Sequence, residues 1–119
     1  MTKGATRAAI ERFNDAFNRH DVDAVMAAMT DDCVFEDTSP TDGRRHVGAA
    51  AVRAAWEQFF ASSPTAHFDT EDMIVTDDRG VVQWRYTWID GDVPHHVRGV
   101  DVMRVRDGRV AEKFSYVKG

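Results

Sequence analysis

From Thr6 to Arg19 the apolar positions recur at helical spacing. Ile10, Phe13 and Phe17 share one face, with Ala9 and Ala16 beside them, which predicts an amphipathic helix. Asp21 reads as the N-cap of a short second helix carrying Val22, Val25, Met26 and Met29. CVFED then reads as a short strand with Cys33, Phe35 and Asp37 on one face and Val34 and Glu36 on the other. TSPTDGRRHVG is rich in turn residues and predicts a loop. In the next stretch Val52, Trp56, Phe59 and Phe60 fall on one face of a third helix, ended by Ser63-Pro64.

Beyond Pro64 the period changes to that of strands. Alternation is broken by DDRG, IDGD and RDGR, which predicts four antiparallel strands over about 66–76, 81–89, 93–106 and 109–117. A two-residue turn at Asp90-Gly91 would set Trp84 opposite Val97, Tyr86 opposite His95 and Trp88 opposite Val93. A turn at Asp107-Gly108 would set Phe114 opposite Asp101, Tyr116 opposite Gly99 and Glu112 opposite Met103. Directly opposed residues share a face, so one face collects Trp84, Tyr86, Trp88, Val97, Met103, Phe114 and Tyr116. A bulge in either hairpin would shift its register by one and exchange the faces. Arg85, Thr87, Arg98, Arg104, Lys113 and Ser115 are left for the opposite face, with Val100 and Val102 among them. Helices with apolar faces laid on such a sheet make an α+β layer arrangement.

Asp101 interrupts the apolar stripe Val97, Gly99, Met103, Val105. An edge position, a bulge or a neighbouring donor would each explain it structurally. A carboxyl desolvated in an apolar cavity would instead favour its neutral form and could donate to an oxyanion, or act as a base when ionised. Asp37, at the end of its strand face, either starts an Asx-turn with Ser39 or serves as a general base at the mouth of the same cavity. The aromatic residues Phe13, Phe17, Trp56, Phe60, Trp84, Tyr86, Trp88, Phe114 and Tyr116 either fill a core or wall a pocket for a flat ligand. His95 and Met103 join that face as candidate contacts. His95 and His96 are neighbours on a strand and point to opposite faces, so they do not suit one metal ion. His46 and His67 read as ordinary loop and strand residues, and the Asp31-Asp32 pair as a solvated turn. No metal site or cofactor is expected, and no phosphate loop, dinucleotide fingerprint or GxSxG is present.

The 119 residues fit one domain spanning 1–119, and 43% hydrophobic with 29% charged residues is an ordinary globular composition. A net charge of -5 argues against nucleic-acid binding. The lone Cys33 excludes an intramolecular disulfide. With no apolar run of membrane-helix or signal length, a cytoplasmic protein without a membrane partner is expected.

The element order, IERFNDAFNRHDVDAVMAAMTDDCVFED and the later GVDVMRVRDGRVAEKFSYV together resemble the nuclear-transport-factor-2-like superfamily, within it the SnoaL-like polyketide cyclase and ketosteroid isomerase groups. The resemblance spans nearly the whole chain and implies a cone-shaped α+β barrel, three N-terminal helices on a curved, mainly antiparallel sheet. It places Asp37 where ketosteroid isomerases carry their general base and Asp101 where they carry the oxyanion-hole aspartic acid. A tyrosine of that site is replaced here by Phe13. Of the Asp-Arg-Asp set of limonene epoxide hydrolase, only Arg85 survives, beside Thr87 and Ser115. The implied activity is cofactor-independent acid/base chemistry (isomerase, cyclase or a related lyase or hydrolase) on a small hydrophobic carbonyl, steroid-like or polyketide-like compound. Asp37 would be the base and Asp101 the acid or oxyanion donor. The alternative is a non-catalytic hydrophobic-ligand-binding or dimerisation module of the same fold. Relatives often pair through the outer sheet face, which with Val100 and Val102 implies a homodimer.

Overall fold

Local signals explain where the first two helices begin. In the computed structural model, which describes residues 2–119, the Thr2 hydroxyl caps α1 (Lys3–Asn18) by accepting from the Ala5 N–H at 3.1 Å. The face Thr6, Ala9, Ile10, Phe13, Ala16, Phe17 is buried. Asp21 caps α2 (Val22–Ala27) in the same way, accepting from Ala24 N–H at 3.1 Å. That helix stops at Ala27, short of the Met29 that its apolar spacing predicts, because Met29 already belongs to a strand. The third helix, α3, runs Ala49–Ser62 and buries Val52, Trp56 and Phe60.

The strands are β1 (Met29–Glu36), β2 (Arg45–Val47), β3 (His67–Val75), β4 (Arg79–Asp90), β5 (Val93–Arg106) and β6 (Arg109–Val117). They form one mixed sheet in the order β2-β1-β6-β5-β4-β3. β1 runs parallel to β6, and every other neighbouring pair is antiparallel. The expected α+β architecture is present, with α1 packed on β3 to β6 and α3 on β1 and β2. Two local readings are corrected. Asp31 and Asp32 lie within β1 rather than in a turn, and β2 emerges from the expected loop, setting His46 opposite Phe35. Three residues without alternation carry no strand signal of their own.

The hairpins decide which side chains face inward. In β4–β5 the turn is centred on Gly91, at φ +61°, and Asp92, so Trp84 opposes Gly99, Tyr86 opposes Val97 and Trp88 opposes His95. This is two residues away from the expected register, and a shift of two leaves every side chain on its face. Gly99 is required where it stands: a Cβ there would lie 2.5 Å from Trp84 Cη2 and 2.2 Å from the Tyr116 carbonyl.

In β5–β6 the outcome is different. Arg106 opposes Arg109 and Val105 opposes Val110 as expected, but Arg104 opposes Glu112, leaving Ala111 as the extra residue of a bulge. The remaining pairs are Met103–Lys113, Val102–Phe114, Asp101–Ser115, Val100–Tyr116 and Gly99–Val117. This shift of one turns the rest of β6 over. Lys113 and Ser115 are buried on the inner face, while Tyr116 is 52% exposed on the outer one.

Candidate active site

Between the helices and the inner face of the sheet lies a cavity of about 340 Å³. Its apolar walls are Phe17, Phe35, Trp56, Phe59, Phe68, Trp84 and Tyr86, and its polar lining includes Asp37, Arg44, His46, Lys113 and Ser115. Phe17 and Trp56 meet edge to face at 5.1 Å, and Phe35 lies 4.1 Å from Trp56. These aromatic contacts hold the walls in fixed geometry.

Lys113 is the buried charge of this cavity. Its ammonium stands 4.9 Å from the Phe35 ring, 5.5 Å from Trp56 and 5.7 Å from Phe17, a cation cradled by aromatic faces. Nζ donates to Ser115 Oγ at 2.8 Å and to Asp101 Oδ1 at 3.4 Å, and Ser115 Oγ donates to the same Oδ1 at 2.7 Å. An ammonium has three N–H donors, so these two contacts leave one uncommitted. Behind Lys113 a void of about 20 Å³ is lined by Asp101, Phe13 and Val82, among others, and shares Lys113 and Trp84 with the main cavity. Asp101 is thus an ion-paired carboxylate at the back of the site, and Lys113 and Ser115 stand in front of it.

Asp37 occupies the other side. Its Oδ1 accepts the backbone N–H groups of Ser39 at 2.9 Å and Arg44 at 2.7 Å, and Oδ2 lies 3.2 Å from His46 Nε2. Partial burial by itself pushes this carboxyl up. The N–H donors of Arg44 and Ser39, with His46, outweigh it and bring the pKa down to about 2. The Asx-turn with Ser39 is present, and the anion also fixes the His46 ring, which stacks on Phe35 at 5.5 Å and 15°. A carboxylate so thoroughly hydrogen-bonded has little proton affinity left for base catalysis.

Of the aromatics expected to contact a ligand, Phe17, Trp56, Trp84 and Tyr86 line the main cavity. The others are placed elsewhere. Phe13 reaches only the small void. Phe60 is turned away and stacks on His20 at 4.6 Å. Met103 is fully enclosed in the core. Trp88 and His95 stack on each other at 5.4 Å in a separate depression near the β4–β5 turn. Phe114 and Tyr116 face outward because of the Ala111 bulge, Phe114 lying under the Arg45 guanidinium at 5.2 Å. The sequence reading does not bring Lys113, Ser115 or His46 to the cavity, which all three line. The signal for the first two was the consecutive apolar pair Val110-Ala111 after the turn, which marks a bulge.

Among the described residues no group of three His, Cys, Asp or Glu side chains could hold a metal ion, and no helix is long and apolar enough to cross a membrane. The sequence matches the SnoaL-like domain family over residues 10–113. An NTF2-like protein of unknown function from Mesorhizobium loti is similar at 41% identity, covering 98% of this chain and 93% of that one, with a TM-score of 0.84. A SnoaL-like polyketide cyclase (so named provisionally) from Jannaschia shares the fold at 20% identity, over 98% and 87% of the two chains, with a TM-score of 0.83. TerC, crystallised with polyporic acid, shares it at 15% identity, over 96% and 92%, with a TM-score of 0.84. No curated protein matches.

Proposed function

Starting from a chain that belongs to the SnoaL-like domain family, we propose that it is an acid/base catalyst of a small hydrophobic carbonyl compound, without a bound cofactor. One observation carries this reading. A buried ammonium, Lys113, and an aspartate-anchored imidazole, His46, line the same aromatic cavity.

The chemistry follows from the donors each group has left. With Nε2–H donated to Asp37, the Nδ1 of His46 is the nitrogen able to take a proton. Lys113 has one N–H to spare for the substrate carbonyl, and its attraction for that oxygen grows as the oxygen takes on enolate charge. Ser115 lines the cavity beside it and helps to orient the ammonium. Asp101 and Asp37 act as positioning residues: the first holds Lys113 and Ser115, the second holds His46. The two-carboxylate scheme expected from the sequence thereby passes to the partners of the two carboxylates, His46 as base and Lys113 as donor. Abstraction of an α-proton by His46 and its return to another carbon would give an isomerisation. Attack of the enolate on a second carbonyl within the same molecule would give a cyclisation.

The test is α-proton exchange of 2-tetralone in D₂O, followed by NMR. The protein should accelerate exchange, His46→Gln should reduce it by about 10²–10⁴, and Lys113→Met by about 10²–10³. No acceleration above buffer, with saturable binding of the ketone, would leave a ligand-binding module. The saturation of Asp37 by backbone donors is the feature that favours that second reading.

A further inference from the structure

The cavity has donors to spare and no carboxylate left free. Its rim carboxylate, Asp37, is spent on the Ser39 and Arg44 N–H groups and on His46. Asp101 stands behind Lys113 rather than in the main cavity. Against this, Lys113 retains an N–H, and the buried indole N–H groups of two wall residues, Trp56 and Trp84, have no acceptor among the described residues. Arg44 also lines the cavity, is exposed, and its guanidinium enters no ion pair among the described residues. The result is a cation at the buried end and another at the open end of an aromatic slot, in a chain whose net charge is -5. Asp101 already offsets Lys113, whereas no carboxylate among the described residues meets the Arg44 guanidinium, so an anionic group on the ligand would complete the open end.

We propose that the substrate is an aromatic keto acid, or an equally anionic relative, with its carbonyl oxygen on Lys113 and its carboxylate on Arg44. This rests on the reading of the cavity as a carbonyl site and adds the charge that the substrate must carry. The volume, about 340 Å³, lies near the lower end of the range for ligand pockets, roughly 300–1,000 Å³. It therefore favours a compact fused-ring compound over a long chain. A planar guanidinium pairs a carboxylate through two parallel N–H bonds, which a lysine cannot reproduce. Arg44 is thus a specificity residue rather than a catalytic one, and its backbone, not its side chain, ties the loop to Asp37.

Isothermal titration with 6-acetyl-2-naphthoate and its methyl ester tests this. The acid should bind the full-length protein about tenfold more tightly than the ester, the margin shrinking as salt rises. Arg44→Gln should bring the acid down to the ester's affinity, and Arg44→Lys should restore part of the difference. Lys113→Met should weaken both probes. Equal affinity of acid and ester, each still dependent on Lys113, would overturn the anionic substrate and leave the carbonyl site standing. Failure of both probes to bind the unmodified protein would remove the two readings together.

Discussion

Ser115 donates a 2.7 Å hydrogen bond to Asp101 across β5 and β6, and the one-residue bulge at Ala111 is what brings the two together. Without that extra residue Phe114 would oppose Asp101 and the carboxylate would face an aromatic ring. With it, a hydroxyl and an ammonium reach the same oxygen. Deleting Ala111 should therefore cost more than the loss of one small buried side chain. The variant should lose both saturable binding of 2-tetralone and several kcal/mol of stability, on the order of 3–5, as expected when a buried charge loses its partner. Urea denaturation checks the second part. Unchanged stability would show that β6 does not depend on the bulge.

The Lys113–Asp101 pair lends itself to a double-mutant cycle. Lys113→Met leaves Asp101 with Ser115 alone, and Asp101→Leu leaves Lys113 charged among aromatic rings. Each single change should destabilise by about 3–5 kcal/mol. The double variant should lose much less than the two effects added, because it removes both charges at once. Additive losses, measured by urea unfolding, would mean that the 3.4 Å contact carries no coupling.

Asp37 makes stability depend on acid. Its pKa falls from 3.8 to about 2 on folding, so the native state binds the proton more weakly than the unfolded chain. The resulting stabilisation is complete above about pH 4 and is lost as the pH falls through 2. It amounts to on the order of 1–2 kcal/mol. Thermal melts between pH 5 and 2 should show this drop, and Asp37→Asn should flatten it. An identical slope in the variant would place the acid sensitivity elsewhere.

Much of this architecture is legible in the sequence, and the parts that are not share a physical cause. Trp84, Tyr86 and Asp101 are read onto one face even though the β4–β5 turn sits one residue later than expected, since the error of register is two and the pleat repeats every two. Lys113 and Ser115 are read onto the wrong face, since the error there is one. A bulge costs a single residue of pattern and reverses everything beyond it. β2 is short enough to pass for loop, and with it went the pairing that sets His46 against Phe35 and Asp37. The bonding of Asp37 is only half legible, for a different reason. Its neighbour Ser39 was visible as a turn partner, but the second donor, Arg44, arrives only when the loop closes.

The outer face gains what the cavity loses. Val81, Val102 and Phe114 lie side by side across β4, β5 and β6, next to Val100 and the exposed Tyr116. We propose that this band pairs with a second copy of the chain. Sedimentation over a wide concentration range should then give a dimer, and Val102→Asp should shift it to monomer while α-proton exchange is reported per subunit. A monomer at every concentration would exclude the pairing.

In the proposed site Lys113 is the group that meets the ligand. The chain has only Lys3, Lys113 and Lys118, so the side-chain nitrogens can be followed individually by ¹⁵N NMR. Titration with 6-acetyl-2-naphthoate should move the Lys113 Nζ signal saturably and leave those of Lys3 and Lys118 in place. A Lys113 signal unmoved at saturation of the binding isotherm would mean that the ligand does not meet Lys113.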